Sequence, residues 1–269
     1  MMEKVIEVAI EAGKEILKVY EKTFSIDYKE DKTPVTEADR ISHSIIKERL
    51  KEIDKSIPIL SEEGKDIPYE KRKSWKRFWL VDPLDGTKEF INKREDFTVN
   101  IALVEDRKPL IGVVYAPAKN LLYFAERGKG AYSMKVENGF DIKKAQRLPL
   151  KDNYADKNTI RVVASRSHMN EDTKKFIEKL KSSGVDVKTL SIGSSLKICL
   201  VAEGKADIYP RIGPTMEWDT AAAHIVAEES NCVVKEYKTA KELLYNKENL
   251  KNDPFVVFRE ELEDYVFDN

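Results

Sequence analysis

Apolar residues recur at helical spacing near the start of the chain. Val5, Ala9, Ala12, Ile16 and Tyr20 fall on one face of a helix over residues 3 to 21. A polar, extended connection, YKEDKTPVTEAD, follows; within it Thr36-Glu37-Ala38-Asp39 has the form of a capping box opening a second helix that carries Ile41, Ile45 and Leu50. Two apolar runs then end in acids: SIPILSEEG predicts a short strand leading to Glu62, and RFWLVDP a buried strand that stops at Asp82, with DPLDGT as a turn. From Phe97 the runs are β-rich and broken by turn signals at Asp106-Arg107, Pro117-Ala118, Gly128 and Gly130, which predicts an antiparallel meander.

The stretch MKVENGFDIKKAQRLPLKDNYADKNT is polar and poor in aliphatics, so it divides the chain into halves of residues 1–150 and 151–269. The second half alternates strand and helix: TIRVVAS, NEDTKKFIEKLKSSG, VDVKTLS, SSLKICLVAEG with Gly204 as its stop, ADIYPR, and DTAAAHIVAEES. Such alternation argues for a layered α/β architecture, with a cleft between two halves.

Composition narrows the function classes. The 269 residues are 41% hydrophobic and 35% charged, and 47 basic against 48 acidic side chains leave a net charge of −1. Basic residues are spread along the chain, so nucleic acid is not an expected partner. Cys199 and Cys232 both sit in apolar surroundings and read as reduced core thiols. No apolar run reaches 18 residues, and the acidic, amphipathic start MMEKVIEVAIEAGKE lacks the form of a signal peptide. A cytoplasmic protein is expected, with a peripheral place on the inner face of the membrane left open; no oligomeric state follows.

The acids at the strand ends carry the chemistry. Asp82 and Asp85 flank Pro83-Leu84, which lets both carboxylates face one way with the Leu84 carbonyl between them. Hard divalent cations such as Mg²⁺ take oxygen ligands of this kind. Glu62 is a third acid and Asp219, at a helix start, a fourth. Such a cluster would be costly without cations, since like charges raise one another's pKa, and its natural substrate is a phosphate. The same residues also suit plainer roles: Asp-Pro-x-Asp-Gly is a common turn sequence, Asp39 and Asp219 could cap their helices, and Glu62 could lie on the surface.

At these positions the sequence resembles the inositol monophosphatase superfamily of Mg²⁺-dependent phosphatases, through Asp82-Pro83-Leu84-Asp85-Gly86-Thr87 and Trp218-Asp219. Within it, TPVTEAD, ILSEEG, SRSH, SIGSSLK, CLVAEG and GPTMEWDTAA resemble the branch of 3′(2′),5′-bisphosphate nucleotidases. The resemblance spans nearly the whole chain except residues 134–158 and the C-terminal tail, and implies a layered αβαβα sandwich. It implies that Glu62, Asp82, Asp85, Asp219 and the Leu84 carbonyl hold two or three Mg²⁺ ions. Asp39 and Thr87 would orient and deprotonate the attacking water, with Glu62 in the catalytic set, while the N–H groups of Gly86 and Thr87 meet the scissile phosphate. Ser165, His168, Ser194, Lys197 and Arg211, with Asp219, would contact the rest of a small nucleotide bisphosphate. His43 and His224 are expected to be structural.

The implied reaction removes the 3′-phosphate of adenosine 3′,5′-bisphosphate, and extends to the sulfated analogue. An inositol or fructose bisphosphate phosphatase with the same metal core is the nearest alternative. Lys88, SRSH and GSSLK count against it, since they suit a nucleotide with a second phosphate. A non-enzymatic nucleotide or metal sensor is the other; it would have no need of the Asp39–Thr87 pair.

Overall fold

The computed structural model describes residues 1–22, 26–28, 34–64, 67–137, 139–150, 159–164 and 170–267. Helix α1 (Met2–Tyr20) leads to the short antiparallel pair β1 (Ile26–Tyr28) and β2 (Pro34–Thr36), then to α2 (Glu37–Ile53). The connection read as merely extended thus contains a short antiparallel strand pair. Strands β3 (Ile59–Ser61), β4 (Arg77–Asp85), β5 (Thr98–Glu105), β6 (Lys108–Ala116), β7 (Leu121–Glu126), β8 (Gly130–Lys135) and β9 (Gln146–Arg147) follow, with α3 (Tyr69–Arg72) before β4 and α4 (Thr87–Ile91) after it. They form one sheet in chain order, parallel between β3 and β4 and antiparallel from β4 onward, as the meander pattern predicts.

The rest of the chain supplies β10 (Thr159–Ala164), α5 (Glu171–Ser182), β11 (Asp186–Ser191), α6 (Leu196–Glu203), β12 (Ile208–Arg211), α7 (Glu217–Glu228), β13 (Cys232–Glu236), β14 (Phe255–Arg259) and α8 (Glu263–Phe267). Its sheet runs β11-β10-β12-β14-β13, parallel across β11-β10-β12 and antiparallel at β14. The sequence reading had placed neither β13 nor α8.

Alternation along the strands builds five layers. Trp79 and Val81 of β4, with Val99, Ile101 and Leu103 of β5, pack under α1 and α2. Phe78 and Leu80, with Ala102 and Val104, face the other way, into a core shared with Leu196, Ile198 and Val201 of α6 and Ala221, Ala222 and Ile225 of α7. The second sheet closes that core with Phe255 and Val257, and turns Val256 and Phe258 outward onto Phe176 and Leu180 of α5 and Val266 of α8. The order α1/α2, sheet, α6/α7, sheet, α5/α8 is the expected αβαβα sandwich. Helix α7 lies so close to β6 that a Cβ on Gly112 would stand 2.2 Å from the Ala222 carbonyl oxygen, so this crossing admits only glycine.

Candidate active site

The site forms where β3 and β4 end beside the N-termini of α6 and α7. Strand β4 does not stop at Asp82. It continues to Asp85, with a register shift that pairs Asp82 with Asn100 and Asp85 with Thr98, so three steps on β4 oppose two on β5. In a regular strand, residues three apart face opposite ways; the one extra residue of this bulge turns both aspartates to the α6/α7 side. Pro83, which has no N–H to give the ladder, sits inside the bulge. DPLD is therefore a bulged strand rather than a turn. Leu84 is buried under α1 and α2, and its carbonyl oxygen lies 3.3 Å from Thr87 Oγ1.

Glu62 follows β3 in a short 3₁₀ turn, one residue beyond the Ser61–Val81 pair, which brings it alongside Asp82. Burial pushes the Asp82 carboxyl well above the usual range, and Glu62 and Asp85 add to it; it accepts from the Leu84 N–H at 3.1 Å. Asp219, third residue of α7, accepts from the Met216 N–H at 2.9 Å. It thus caps its helix, yet burial and Asp85 also push it well up. Asp85 keeps part of its surface in the cleft; burial raises it, while the Lys197 ammonium and the Ser195 N–H at 2.5 Å pull it back.

Asp39, third residue of α2, closes the capping box on Thr36, taking the Thr36 N–H and hydroxyl on Oδ2, each at 2.7 Å. Its other oxygen accepts from Thr87 Oγ1 at 3.2 Å. The cap and the Asp39–Thr87 pair are therefore one arrangement, not alternatives. Burial raises the Asp39 carboxyl to about 6; the Thr36 bonds oppose this, and Glu63 and Glu62 reinforce it. Gly86, at φ +92°, turns the chain from β4 into α4; a Cβ there would meet the Asp96 carbonyl at 3.0 Å.

A cleft beyond Asp85 is lined by Gly86, Glu89, Ser194, Lys197, Arg211 and Asp219. Lys197 is buried, its ammonium donating to the Ser194 carbonyl at 2.6 Å, and burial pulls its pKa down to about 8. Arg211 donates to the Pro214 carbonyl at 2.7 Å. Lys88 is exposed on α4. Ser165 and His168 lie outside the described residues. His43 bonds Ser61 Oγ and His224 bonds the Tyr245 hydroxyl, consistent with structural roles. Cys199 and Cys232 are buried free thiols. The sequence reading missed Ser195, Thr98 and Asn100, which adjoin Asp85; two polar residues at alternate positions inside the apolar run of β5 were the available signal.

The donor set fits a hard divalent cation. Glu62, Asp82, Asp85, Asp219 and the Leu84 carbonyl offer oxygen only, and the aspartates are under-neutralised as they stand. Among the described residues no three such groups are gathered closely enough to hold an ion without adjustment, so the fit rests on donor chemistry and burial.

The inositol monophosphatase family pattern matches residues 1–261. The chain belongs to this family. A member from Escherichia coli K12, named 3′(2′),5′-bisphosphate nucleotidase CysQ, is 44% identical over 242 residues, 88% of this chain and 91% of that protein. The same-named protein of Salmonella typhimurium has the same identity and coverage. The crystal structure of CysQ from Bacteroides thetaiotaomicron, a bacterial member of the inositol monophosphatase family, superposes with a TM-score of 0.87 at 44% identity, covering 96% of this chain and 97% of that one. An inositol monophosphatase structure from Thermotoga maritima gives 0.76 at 25% identity, over 97% and 92%. Among the described residues no helix is long and apolar enough to cross a membrane.

Proposed function

We propose that the chain is a Mg²⁺-dependent 3′(2′),5′-bisphosphate nucleotidase, which hydrolyses the 3′-phosphate of adenosine 3′,5′-bisphosphate to AMP and phosphate and also accepts the sulfated analogue. The likeness to CysQ proteins over nearly the full length supports this over an inositol or fructose bisphosphate phosphatase. The observation that carries the reading is the Asp39–Thr87 hydrogen bond beside the buried acids, because a protein that only senses nucleotide needs no proton acceptor there.

Glu62, Asp82, Asp85, Asp219 and the Leu84 carbonyl would hold two or three Mg²⁺ ions. Bound there, Mg²⁺ supplies charge neutralisation for the phosphoryl group and lowers the pKa of water. The chain's own part is positioning and proton transfer. Thr87 Oγ1 donates to Asp39 Oδ1, so it accepts a proton from water as it passes its own to the carboxylate. In the metal-free protein burial raises this carboxyl to about 6, which leaves it charged at neutral pH and more basic than an ordinary aspartate. The Gly86 and Thr87 N–H groups would face the reacting phosphate. Ser194, Lys197 and Arg211 line the adjoining cleft, where two cations suit a second phosphate; Ser165 and His168 would complete that contact. Residues 1–150 carry most of the acids, and 151–269 bring Asp219 and the nucleotide contacts. The enzyme is read as cytoplasmic.

The test is phosphate release by purified protein with Mg²⁺, comparing adenosine 3′,5′-bisphosphate, inositol 1-phosphate and fructose 1,6-bisphosphate at equal low concentration. At least tenfold preference for the nucleotide, about 1.4 kcal/mol in transition-state binding, is expected. Better turnover of a sugar phosphate would keep the metal chemistry and reject the nucleotide assignment.

A further inference from the structure

Asp85 is held from both sides of the cleft by a directed chain of hydrogen bonds. The Ser195 N–H and the Asn100 amide both donate to Asp85 Oδ2, at 2.5 Å and 3.4 Å. Ser195 Oγ donates to Asn100 Oδ1 at 2.9 Å and lies 2.9 Å from Thr98 Oγ1. With the Ser195 proton committed to Asn100, the Thr98 hydroxyl is the donor to Ser195. The polarity then runs one way: Thr98 to Ser195, Ser195 to the Asn100 carbonyl, and the Asn100 amide to the carboxylate. Reversing the amide would face its oxygen to the Asp85 carboxylate with no proton between them. All three side chains are buried, at 0% exposure for Thr98, 1% for Asn100 and 4% for Ser195.

The chain also spans two elements remote in sequence. Thr98 and Asn100 stand on β5, facing the α6/α7 side, and Ser195 immediately precedes α6. Both bonds to Asp85 fall on Oδ2, so the carboxylate is oriented with Oδ1 as the oxygen left for a ligand. Desolvation of a group with this many buried polar neighbours makes each partner matter: losing one strands the next.

We propose that Ser195 is a positioning residue for cation binding: relayed through Asn100 and backed by Thr98, its hydroxyl fixes the Asp85 carboxylate and ties cation affinity to the seating of α6 against β5. This rests on the reading of Asp85 as a metal ligand. Ser195→Ala keeps the backbone N–H bond and removes only the relay. The Asn100 amide is then free to turn over, and its carbonyl loses its donor.

The experiment titrates substrate-free protein with Mn²⁺, following unbound ion by its paramagnetic resonance signal, with melting in EDTA as the check on folding. Ser195→Ala should weaken Mn²⁺ binding about five- to tenfold, the size expected for one buried hydrogen bond and its stranded partner. Ser195→Thr should restore it, and the Mg²⁺ concentration for half-maximal turnover should move in parallel. Asp85→Asn is the reference, with a larger loss. Wild-type affinity in folded Ser195→Ala, with affinity lost in Asp85→Asn, would overturn the proposal and leave the metal site standing. Unchanged affinity in Asp85→Asn would overturn both. Should Ser195→Ala not stay folded, Thr98→Val breaks the head of the same chain: a two- to threefold weakening is expected, and none would overturn the relay.

Discussion

Asp39→Asn separates the chemistry of the site from its stability, and the expected effects have opposite signs. The amide is isosteric and can retain every bond: its oxygen replaces Oδ2 toward the Thr36 N–H and hydroxyl, and its NH₂ faces Thr87 Oγ1, whose proton turns to the Leu84 carbonyl already 3.3 Å away. What disappears is the charge. The Asp39 carboxyl is raised from 3.8 to about 6, roughly two units at about 1.4 kcal/mol each, so its ionised form costs the metal-free protein about 3 kcal/mol. An acid with a raised folded pKa binds more protons folded than unfolded, so its contribution to stability is unimpaired below the unfolded value near 4. It is lost as pH rises toward 6 and stays lost above it. In EDTA at pH 8 the variant should therefore melt roughly 5–10 °C higher than the parent, and at pH 4 the two should coincide. Turnover with saturating Mg²⁺ should fall at least about a thousandfold, since the amide takes no proton. Paired calorimetry and phosphate release decide it. Equal melting at pH 8, or near-parental turnover, would refute the account of Asp39 as a strained base.

Asp82→Asn should abolish turnover with the fold intact and lower affinity for Mn²⁺; retained turnover would remove Asp82 from the metal set. Lys197→Ala should raise KM for the bisphosphate more than for a simple monophosphate, and equal effects would take Lys197 out of the second-phosphate contact. Because burial lowers the Lys197 ammonium to about 8, the parent's KM for bisphosphate should climb as pH passes that value, and Lys197→Arg should flatten the climb. Glu217, fully buried, holds the N–H groups of Asn246 and Lys247 at 2.6 and 2.9 Å and pairs with the Lys247 ammonium at 3.0 Å. Its replacement by Ala strands both N–H groups and takes the carboxylate from the Lys247 ammonium, which keeps the Leu244 carbonyl at 2.9 Å, and denaturant titration should show a loss of about 3 kcal/mol.

Local signals were legible where one residue pattern admits one structure. The 3.6-residue spacing of Val5 to Ile16 defined α1 nearly to the residue, the Thr36–Asp39 box marked the start of α2, and Gly204, at φ +81°, ends α6 as its sequence predicts. The bulge at Asp82–Asp85 was not legible, because Asp-Pro-x-Asp-Gly is compatible with a turn and only pairing to Asn100 and Thr98 distinguishes the two. Strand β13 was missed for a related reason: CVVKE is short, and its pairing partner β14 lies more than twenty residues on. The acids proposed for the site were singled out by type and position. The roles of Ser195 and Asn100 depend on contacts across about 95 residues of chain, which no local pattern encodes.

The bulge also makes residue count, as distinct from residue identity, a determinant of which side chains share the cleft. Asp82 and Asp85 share a face only because one unpaired residue lies in the step between them. Inserting one residue opposite it, between Thr98 and Asn100, would restore regular pairing at three steps against three and swing Asp85 under α1 and α2, into the apolar layer that holds Val81 and Val99. A one-residue insertion in β5 is thus a more severe lesion than a conservative point change there, even with both aspartates retained. Homologous segments searched by composition alone, with gaps allowed here, would be misjudged as competent.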